Sequence, residues 1–215
     1  MQLSLLDALA QPERDLVARR LVARSFRRGQ VVFNDADSGD CMYLVTSGRF
    51  AVAMSTTDGV EIILRVVHPG EFFGELALVH PDSHRTGRVV ALEAAETSIL
   101  YRHDLDDLRA HHPGVDRLLV TALAERIKQM SEQSVEAMLS PERRVWRRLA
   151  VLADAYGDQP IRMSQDDLAR VAGTVRQTVN RALGNAETVG AISRQRGTIT
   201  IVDRDALRAL IDSHS

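Results

Sequence analysis

The spacing of the hydrophobic positions changes along the chain, and each change marks a different kind of element. Residues 3–24 have helical spacing with a break near Pro12. The positions predicted to be buried in this segment are Leu5, Leu6, Leu9, Leu16, Val17 and Leu21. From residue 25 to 101, short β-rich runs alternate with turn sequences such as NDADSGD and HPGE, which predicts a compact antiparallel roll, sandwich or barrel. The predicted strands are 30–33, 41–45, 50–54, 61–67 and 97–101.

After His112 the spacing becomes that of a long helix. Apolar and small residues recur at alternating intervals of three and four, which makes a heptad seam on a helix of roughly 25 residues. The seam residues are Val120, Leu123, Ile127, Met130, Ser134 and Ala137. One interpretation packs the seam on the chain's own β domain. A parallel helix from a second subunit fits it better, so we predict a homodimer.

The C-terminal part of the chain has the pattern of a DNA-binding motif. Ser140 and Pro141 suit an N-cap and a first helical position, so a new domain is predicted to begin at residue 140. A short helix after Ser164 is followed by Gly173 and a second helix that begins near Thr174, which predicts a helix-turn-helix. The sequence AISRQRGTITIVD, residues 191–203, then predicts a two-stranded wing.

Composition and charge narrow the class of protein. With 45% hydrophobic and 26% charged residues, the 215-residue chain is typical of a soluble globular protein. No apolar run approaches the roughly 18 residues that span a bilayer, and the N-terminus does not have the pattern of a signal peptide. The lone Cys41 cannot form an internal disulfide, and a reduced cytoplasmic setting is predicted.

The two parts of the chain carry opposite net charge. Residues 1–140 carry 15 basic and 20 acidic side chains, a balance of −5, and residues 141–215 carry 12 basic and 9 acidic, a balance of +3. Such asymmetry favours the second part as the one that meets nucleic acid.

The order of these parts, β-rich domain, long helix and winged helix-turn-helix, resembles the cyclic AMP receptor protein (Crp/Fnr) family of bacterial transcription regulators. The most specific matches are PGEFFGELAL and HRTGRVVA within residues 69–91, and VAGTVRQTVNRAL at residues 171–183. The resemblance implies an α+β protein of three parts: a cyclic-nucleotide-binding β-roll over residues 1–112, a dimerisation helix over 113–139 and a winged helix-turn-helix over 140–215. It also implies double-stranded DNA with a palindromic operator, and RNA polymerase, as partners.

Residues 72–93 agree with that resemblance in their chemistry. An arginine supplies a planar fork of donors for a phosphate, a neighbouring hydroxyl adds one more, and backbone N–H groups at glycine turns can hold the same anion. By resemblance, Arg85 and Thr86 take the cyclic phosphate of the nucleotide and Glu75 takes the ribose, while Gly74, Leu76 and Ala77 shape the turn and short helix between them. The alternative is a structural Glu75–Arg85 salt bridge that binds no ligand.

The base-binding residues depart from the family pattern. In the cAMP-binding members, a threonine–serine pair on the dimer helix reaches the adenine, and here the matching residues are Met130 and Ser131. Met130 cannot donate a hydrogen bond, and Arg126 one turn earlier also faces the pocket by its position. The predicted effector is therefore cAMP, with cGMP left open.

The DNA-reading residues are predicted on the second helix of the helix-turn-helix and around it. The family usually has arginine–glutamate where this chain has Arg176–Gln177, which predicts a half-site that keeps a guanine but differs next to it. Arg194 and Arg196 are placed at the tip of the wing, where they suit phosphate contacts. The remaining predicted DNA-binding residues are Asn180, Arg181, Ser164 and Thr174.

Other chemistries find little support. His80 and His84 have an i, i+4 spacing, but Pro81 and Asp82 predict a loop there, so no metal site is predicted. No nucleophile–base pair stands out, so an enzyme is the weakest interpretation. Two rival interpretations remain: a cyclic-nucleotide-responsive module that acts through protein partners, and a constitutive DNA-binding regulator with a vestigial pocket.

Overall fold

The computed structural model describes residues 5–57, 59, 61–79 and 84–212. These residues form two compact units. One comprises the chain up to Ser55 together with Leu64–Met130, and the other comprises Thr56–Ile63 together with the chain from Ser131. Within the described residues, no helix is both long enough and apolar enough to cross a membrane.

The first unit is a β-roll built from two four-stranded antiparallel sheets. One sheet has the strand order β1-β8-β3-β6 and the other β2-β7-β4-β5. The strands are β1 (Val22–Phe26), β2 (Val31–Phe33), β3 (Cys41–Ser47), β4 (Phe50–Ser55), β5 (Glu61–Val67), β6 (Phe72–Phe73), β7 (Arg88–Ala91) and β8 (Ala95–Tyr101). The predicted antiparallel β architecture is confirmed.

Aromatic side chains from both sheets make the centre of the roll. Tyr43 and Phe73 stack with 4.9 Å between ring centroids, and Phe50 packs 5.1 Å from Phe73. Small and β-branched residues such as Val89 and Ala91 complete this core. Because the buried residues of this core come from seven of the eight strands, their packing holds the strands in place relative to one another.

Helices cover one end of the roll. They are α1 (Gln11–Ala18), the short α2 (Leu76–Val79), α3 (Arg102–His111) and the beginning of α4 (Asp116–Glu136). Leu105, Leu108 and Leu118 pack with Val17 and Leu9 in a second cluster of buried residues. The side chain of Leu5 lies outside the described part, and Leu6, Leu16 and Leu21 are partly buried against the same cluster.

The predicted break near Pro12 is present: a 3-10 helix over Leu5–Ala8 ends before α1 begins at Gln11, and Pro12 lies in the first turn of α1, where its missing N–H removes no hydrogen bond. One detail of the N-terminal prediction is wrong. Residues 22–24 belong to strand β1 and not to a helix. The β1 sequence VARSF is exposed at its first four positions, so its hydrophobic pattern gave no strand signal.

The long helix α4 has 21 residues and ends at Glu136. Ala137, predicted as the last seam residue, therefore lies in the turn that follows. Along the rest of the seam, Leu123 is half-buried, whereas Val120, Ile127 and Met130 are 64%, 65% and 52% exposed.

The second unit contains the helix-turn-helix and its wing. Its helices are α5 (Pro141–Tyr156), α6 (Gln165–Ala172), α7 (Arg176–Thr188) and α8 (Arg204–Asp212), and its strands are β9 (Ile192–Gln195) and β10 (Thr198–Ile201). Ser140 caps α5 through its side chain, as predicted. Trp146 of α5 donates its indole N–H to the Ala182 carbonyl oxygen at 2.8 Å and so fixes α7 against α5.

Candidate functional site

Two glycines allow the chain to close tightly around Arg85. Gly74 has a φ of +84°, and a Cβ at this position would lie 2.7 Å from Arg85 Nη1. A Cβ at Gly39 would lie 2.3 Å from the Ala77 Cβ and 3.0 Å from Arg85 Nε. Side chains are therefore excluded at both positions. Gly39 was not predicted, although it stands in the turn sequence before β3.

Arg85 itself is buried, with 4% of its surface exposed. Its Nη1 donates to the carbonyl oxygens of Cys41 at 2.7 Å and Gly74 at 3.0 Å, and its guanidinium lies 4.3 Å from the centre of the Phe33 ring. The buried Nε has no hydrogen-bond partner among the described residues. The guanidinium is thus fixed in place by backbone and aromatic contacts while one of its donors remains unsatisfied.

Glu75 is equally buried, at 4% exposure. Among the ion pairs of the described residues, none joins Glu75 to Arg85, so the ligand-free salt bridge considered above is not formed there. A buried carboxylate is costly without a partner, and a ribose hydroxyl would supply one.

The other predicted residues of this loop lie beside Arg85 and Glu75. Thr86 is exposed directly after Arg85, Leu76 is half-buried and Ala77 is buried at the start of α2. Arg102, which was not predicted, donates to the carbonyl oxygens of Leu78 at 3.0 Å and of Ala77. These bonds satisfy the C-terminal end of α2 and so hold the loop.

A second arginine that was not predicted contacts β6, the strand that precedes Gly74. Arg65 of β5 donates from Nη2 to the Phe72 carbonyl oxygen at 2.7 Å, while its Nε is buried without a partner in the described part of the chain. The sequence feature that could have drawn attention to Arg65 is its place as the one arginine inside the apolar run EIILRVV.

Arg126 of α4 also has a buried donor atom. It is half-buried, and its Nη1 is buried without a partner among the described residues. Burial lowers the pKa of Arg126 below its ordinary value, the nearby charge of Arg65 lowers it further, and Glu75 opposes both effects. Met130 and Ser131 lie about one turn further along α4 and are exposed.

The helix-turn-helix forms as predicted. Ser164 accepts from the Asp167 N–H at 3.1 Å at the start of α6, and Gly173 takes the left-handed conformation with φ +57° at its end. Val179 and Leu183 of α7 face the core. The predicted reading residues on the opposite side of α7 are all exposed: Arg176, Gln177, Asn180 and Arg181.

Helix α7 and the wing enclose a cleft of about 410 Å³. Of the predicted DNA-binding residues, it is lined by Ser164, Arg176, Arg194 and Arg196. Thr174 is half-buried in the turn before α7, where its N–H donates to the Ala169 carbonyl oxygen at 3.0 Å.

Three of the predicted DNA-binding arginines are paired with carboxylates of the same unit. Arg176 lies 3.1 Å from Asp166. Arg181 pairs with Glu142 and Arg194 with Glu187. The prediction that Arg194 occupies the tip of the wing is wrong: Arg194 lies within β9 opposite Ile199, and Arg196 and Gly197 form the turn.

Groups that could hold a metal are absent from the described residues. His84 is exposed and forms an isolated bridge with Ser38, while His80 lies outside the described residues.

Comparisons with known proteins match a known domain to each of the two parts of the chain. Residues 23–112 match the cyclic nucleotide-binding domain model, and residues 143–210 match the Crp-like helix-turn-helix domain model. The Cyclic AMP receptor protein of Thermus thermophilus is 30% identical over 200 residues, which cover 92% of this chain and 91% of that protein. The CRP-like cAMP-activated global transcriptional regulator of Mycobacterium tuberculosis is 27% identical over 202 residues, which cover 89% of this chain and 88% of that protein.

A solved structure is similar over nearly the whole chain. The crystal structure of the Thermus thermophilus catabolite activator protein aligns with a TM-score of 0.56 at 29% identity, and the alignment covers 97% of this chain and 98% of that one.

Proposed function

Because the chain belongs to the Crp/Fnr family of transcription regulators, we propose that it acts as a homodimer whose affinity for a two-fold symmetric DNA site is set by a cyclic nucleotide. The observation that carries the proposal is the buried pair of opposite charges in the β-roll. Arg85 and Glu75 are each 4% exposed, yet they form no ion pair with each other among the described contacts. A ligand with a phosphate and a ribose hydroxyl satisfies both.

The phosphate of the nucleotide is assigned to Arg85. Its Nε is a buried donor without a described partner, and Thr86 adds an exposed hydroxyl next to it. The α2 loop, held by Arg102, supplies backbone N–H groups around Gly74. Relatives named for cAMP make cAMP the first nucleotide to test.

The dimer is assigned to α4. Val120, Ile127 and Met130 repeat at heptad spacing and expose more than half of their surface. A parallel copy of the same helix would bury this seam. It would also bring Ser131 of one protomer toward the nucleotide of the other, as the family resemblance implies.

DNA is assigned to α7 and the wing. In a dimer, the two α7 helices must lie about 34 Å apart to meet successive major grooves. The nucleotide would act by a population shift, in which it favours one arrangement of these helices over others. Coupling of this kind is reciprocal, so DNA that carries the operator must tighten nucleotide binding by the same factor.

We propose no catalytic activity for this chain. Both matched domains and the relatives are those of transcription regulators, which are not enzymes. RNA polymerase is proposed as a further partner, in line with the relatives named as cAMP-activated regulators.

The test is calorimetric titration of the purified protein with cAMP and cGMP. Saturable binding by one or both is expected, with complete loss in Arg85→Ala and no change in Arg28→Ala, which removes an exposed arginine of the same roll. The absence of binding to either nucleotide, or equal binding by Arg85→Ala, would refute the ligand proposal.

A separate experiment tests the proposal that the protein binds a two-fold symmetric DNA site under control of the nucleotide. Duplexes selected from a random pool by the protein with nucleotide are expected to contain a palindrome and to bind more tightly when nucleotide is present. A selected pool without two-fold symmetry, or an affinity that nucleotide leaves unchanged, would contradict it. In the second case the protein would be a constitutive DNA-binding regulator.

A further inference from the structure

An acidic side chain lies among the arginines that were predicted to bind DNA. Asp166 stands in the first turn of α6, and its Oδ2 lies 3.1 Å from Nη1 of Arg176, the first residue of α7. Both residues line the cleft between α7 and the wing. Because a carboxylate repels the phosphates of DNA, Asp166 lowers the affinity for DNA unless its contact with Arg176 has another effect.

The stability of the fold does not account for this pair. The side chains of Asp166 and Arg176 are 61% and 66% exposed. Exposed ion pairs contribute little to folding, since water screens both charges. The N-cap of α6 uses the next residue instead: Ser164 accepts from the Asp167 N–H and donates to the Asp167 carboxylate at 2.7 Å. What the pair does is join a side chain of α6 to the side chain at the start of α7.

The contact with Asp166 leaves one edge of the Arg176 guanidinium available for DNA. A guanidinium presents two donors side by side, Nε–H and Nη2–H, and this fork matches two neighbouring acceptors such as N7 and O6 of guanine. Asp166 accepts from Nη1, which lies outside that fork. The carboxylate and a base can therefore bind the same guanidinium at the same time.

The other two arginine–carboxylate pairs described on this surface use the fork itself. Glu187 accepts from both Nε and Nη2 of Arg194. Glu142 accepts from Nε of Arg181. DNA must displace these two carboxylates before either arginine can present its Nε–Nη2 edge. Asp166 differs from them because it can stay in contact with its arginine in the complex with DNA.

We propose that Asp166 is a positioning residue for Arg176: it holds the guanidinium so that the Nε–Nη2 edge faces the base, and so raises the specificity of the protein for its DNA site. This inference rests on the proposed function and adds a residue to the DNA site of that function. An arginine that is ordered before DNA arrives loses less freedom on binding. DNA without the matching base gains nothing from this order but still meets the repulsive charge of Asp166, which separates the two kinds of DNA further.

The test measures fluorescence anisotropy of two duplexes with the full-length protein in the presence of cAMP and cGMP: the duplex selected from the random pool and one of unrelated sequence. In Asp166→Ala, affinity for the selected duplex should fall about fivefold, the lower end of what one bidentate base contact contributes. Affinity for the unrelated duplex should not fall. Selection repeated with the variant should relax the preference at the base position that Arg176→Ala also relaxes.

A double-mutant cycle separates positioning from charge. In the Arg176→Ala background, Asp166→Ala should have no further effect on the base preference, because no guanidinium is left to orient. Asp158→Ala removes another exposed carboxylate of the same unit and should leave the preference as in the wild type. Thermal unfolding of each variant establishes that it is folded.

Each other outcome is decisive. If Asp166→Ala changes the affinity for both duplexes by the same factor, Asp166 only repels DNA or only supports the fold, and the inference is wrong. If the variant relaxes a position that Arg176→Ala does not, Asp166 reads a base itself, and the inference is again wrong. In these cases the wild type still selects a palindrome, so the proposed function stands. If the wild type selects no two-fold symmetric sequence, the proposed function fails first and takes the inference with it.

Discussion

Arg194 of β9 and Glu187 of α7 form a two-point ion pair, with 2.9 Å between Arg194 Nε and Glu187 Oε2 and 2.5 Å between Nη2 and the same oxygen. The guanidinium holds the pKa of the Glu187 carboxyl below its ordinary value, chiefly through these hydrogen bonds. At neutral pH the Glu187 carboxylate is therefore charged, and it pairs with Arg194, which was predicted from the sequence to contact DNA.

Replacing Glu187 by glutamine should strengthen DNA binding. The change frees Arg194 from its carboxylate so that it can contact a phosphate, and each added phosphate contact steepens the dependence of log affinity on log salt by about 0.9. Fluorescence anisotropy with a selected duplex at several salt concentrations measures both quantities. Asp205→Asn is the control because it removes one exposed charge that is also paired with an arginine, Arg208, in the same unit. Equal gains in the two variants would mean that net charge alone is responsible.

What the sequence predicted well is encoded locally, as in α7, which shows its buried and exposed faces in its own spacing. Gly74, Glu75, Arg85 and Thr86 stand within thirteen consecutive positions, so the sequence alone could group them as one site, and their role in binding stays a prediction. The residues that were missed or misplaced depend on contacts between distant segments. From the sequence alone, an arginine at position 65 is equally compatible with a solvent-facing position on a strand and with a position in a binding site.

The position of Arg194 in the wing also depends on contacts that the local sequence does not reveal. Whether Arg194 belongs to the turn or to β9 depends on strand register, and the hairpin sequence around Gly197 permits more than one register. The observed register, with Arg194 opposite Ile199, coincides with the ion pair to Glu187 on α7. That partner is on a separate element, which hydrophobic spacing does not reveal.

Arg176 is predicted to read one guanine of each half-site. It is exposed at the first position of α7 and paired with Asp166 at 3.1 Å. Arg176→Ala should weaken binding to the selected duplex by about 1–3 kcal/mol and relax the preference at one base position. Repeating the selection with the variant measures that preference, and Arg208→Ala serves as an exposed arginine of the same unit. A loss of equal size on every sequence would make Arg176 a phosphate contact.

Gly184 weakens α7 without a steric reason. It lies in the interior of the helix, and a Cβ there would meet nothing within 4 Å. Gly184→Ala should therefore raise the free energy of unfolding by about 1 kcal/mol, as measured by urea denaturation. Gly173→Ala is the matched contrast: a Cβ there also meets nothing, but φ is +57°, so this variant should lose stability. A loss in Gly184→Ala would show that the glycine has a packing role.

Glu136 ties the end of α4 to α5. It is largely buried, and its carboxylate lies 3.0 Å from both Arg147 Nε and Arg148 Nη2. Removing one partner of a buried ion pair costs about 3–5 kcal/mol, because the other charge stays behind. Glu136→Gln should lower the free energy of unfolding toward that range. Glu132→Gln, at an exposed position of the same helix, should leave it nearly unchanged. Similar values for the two variants would contradict a buried pair.

The seam on α4 gives the most direct test of the homodimer. Ile127 is 65% exposed at the centre of the heptad pattern, and a lysine there would place a charge between two packed helices. Ile127→Lys should shift the protein from dimer to monomer in analytical ultracentrifugation. Glu125→Lys introduces the same side chain two residues earlier, on the outer face of the heptad, and should remain dimeric. Nucleotide binding should weaken in Ile127→Lys as well, because Ser131 of the partner would no longer reach the site. If the wild type sediments as a monomer, or if both lysine variants dimerise equally, α4 is not the dimer interface.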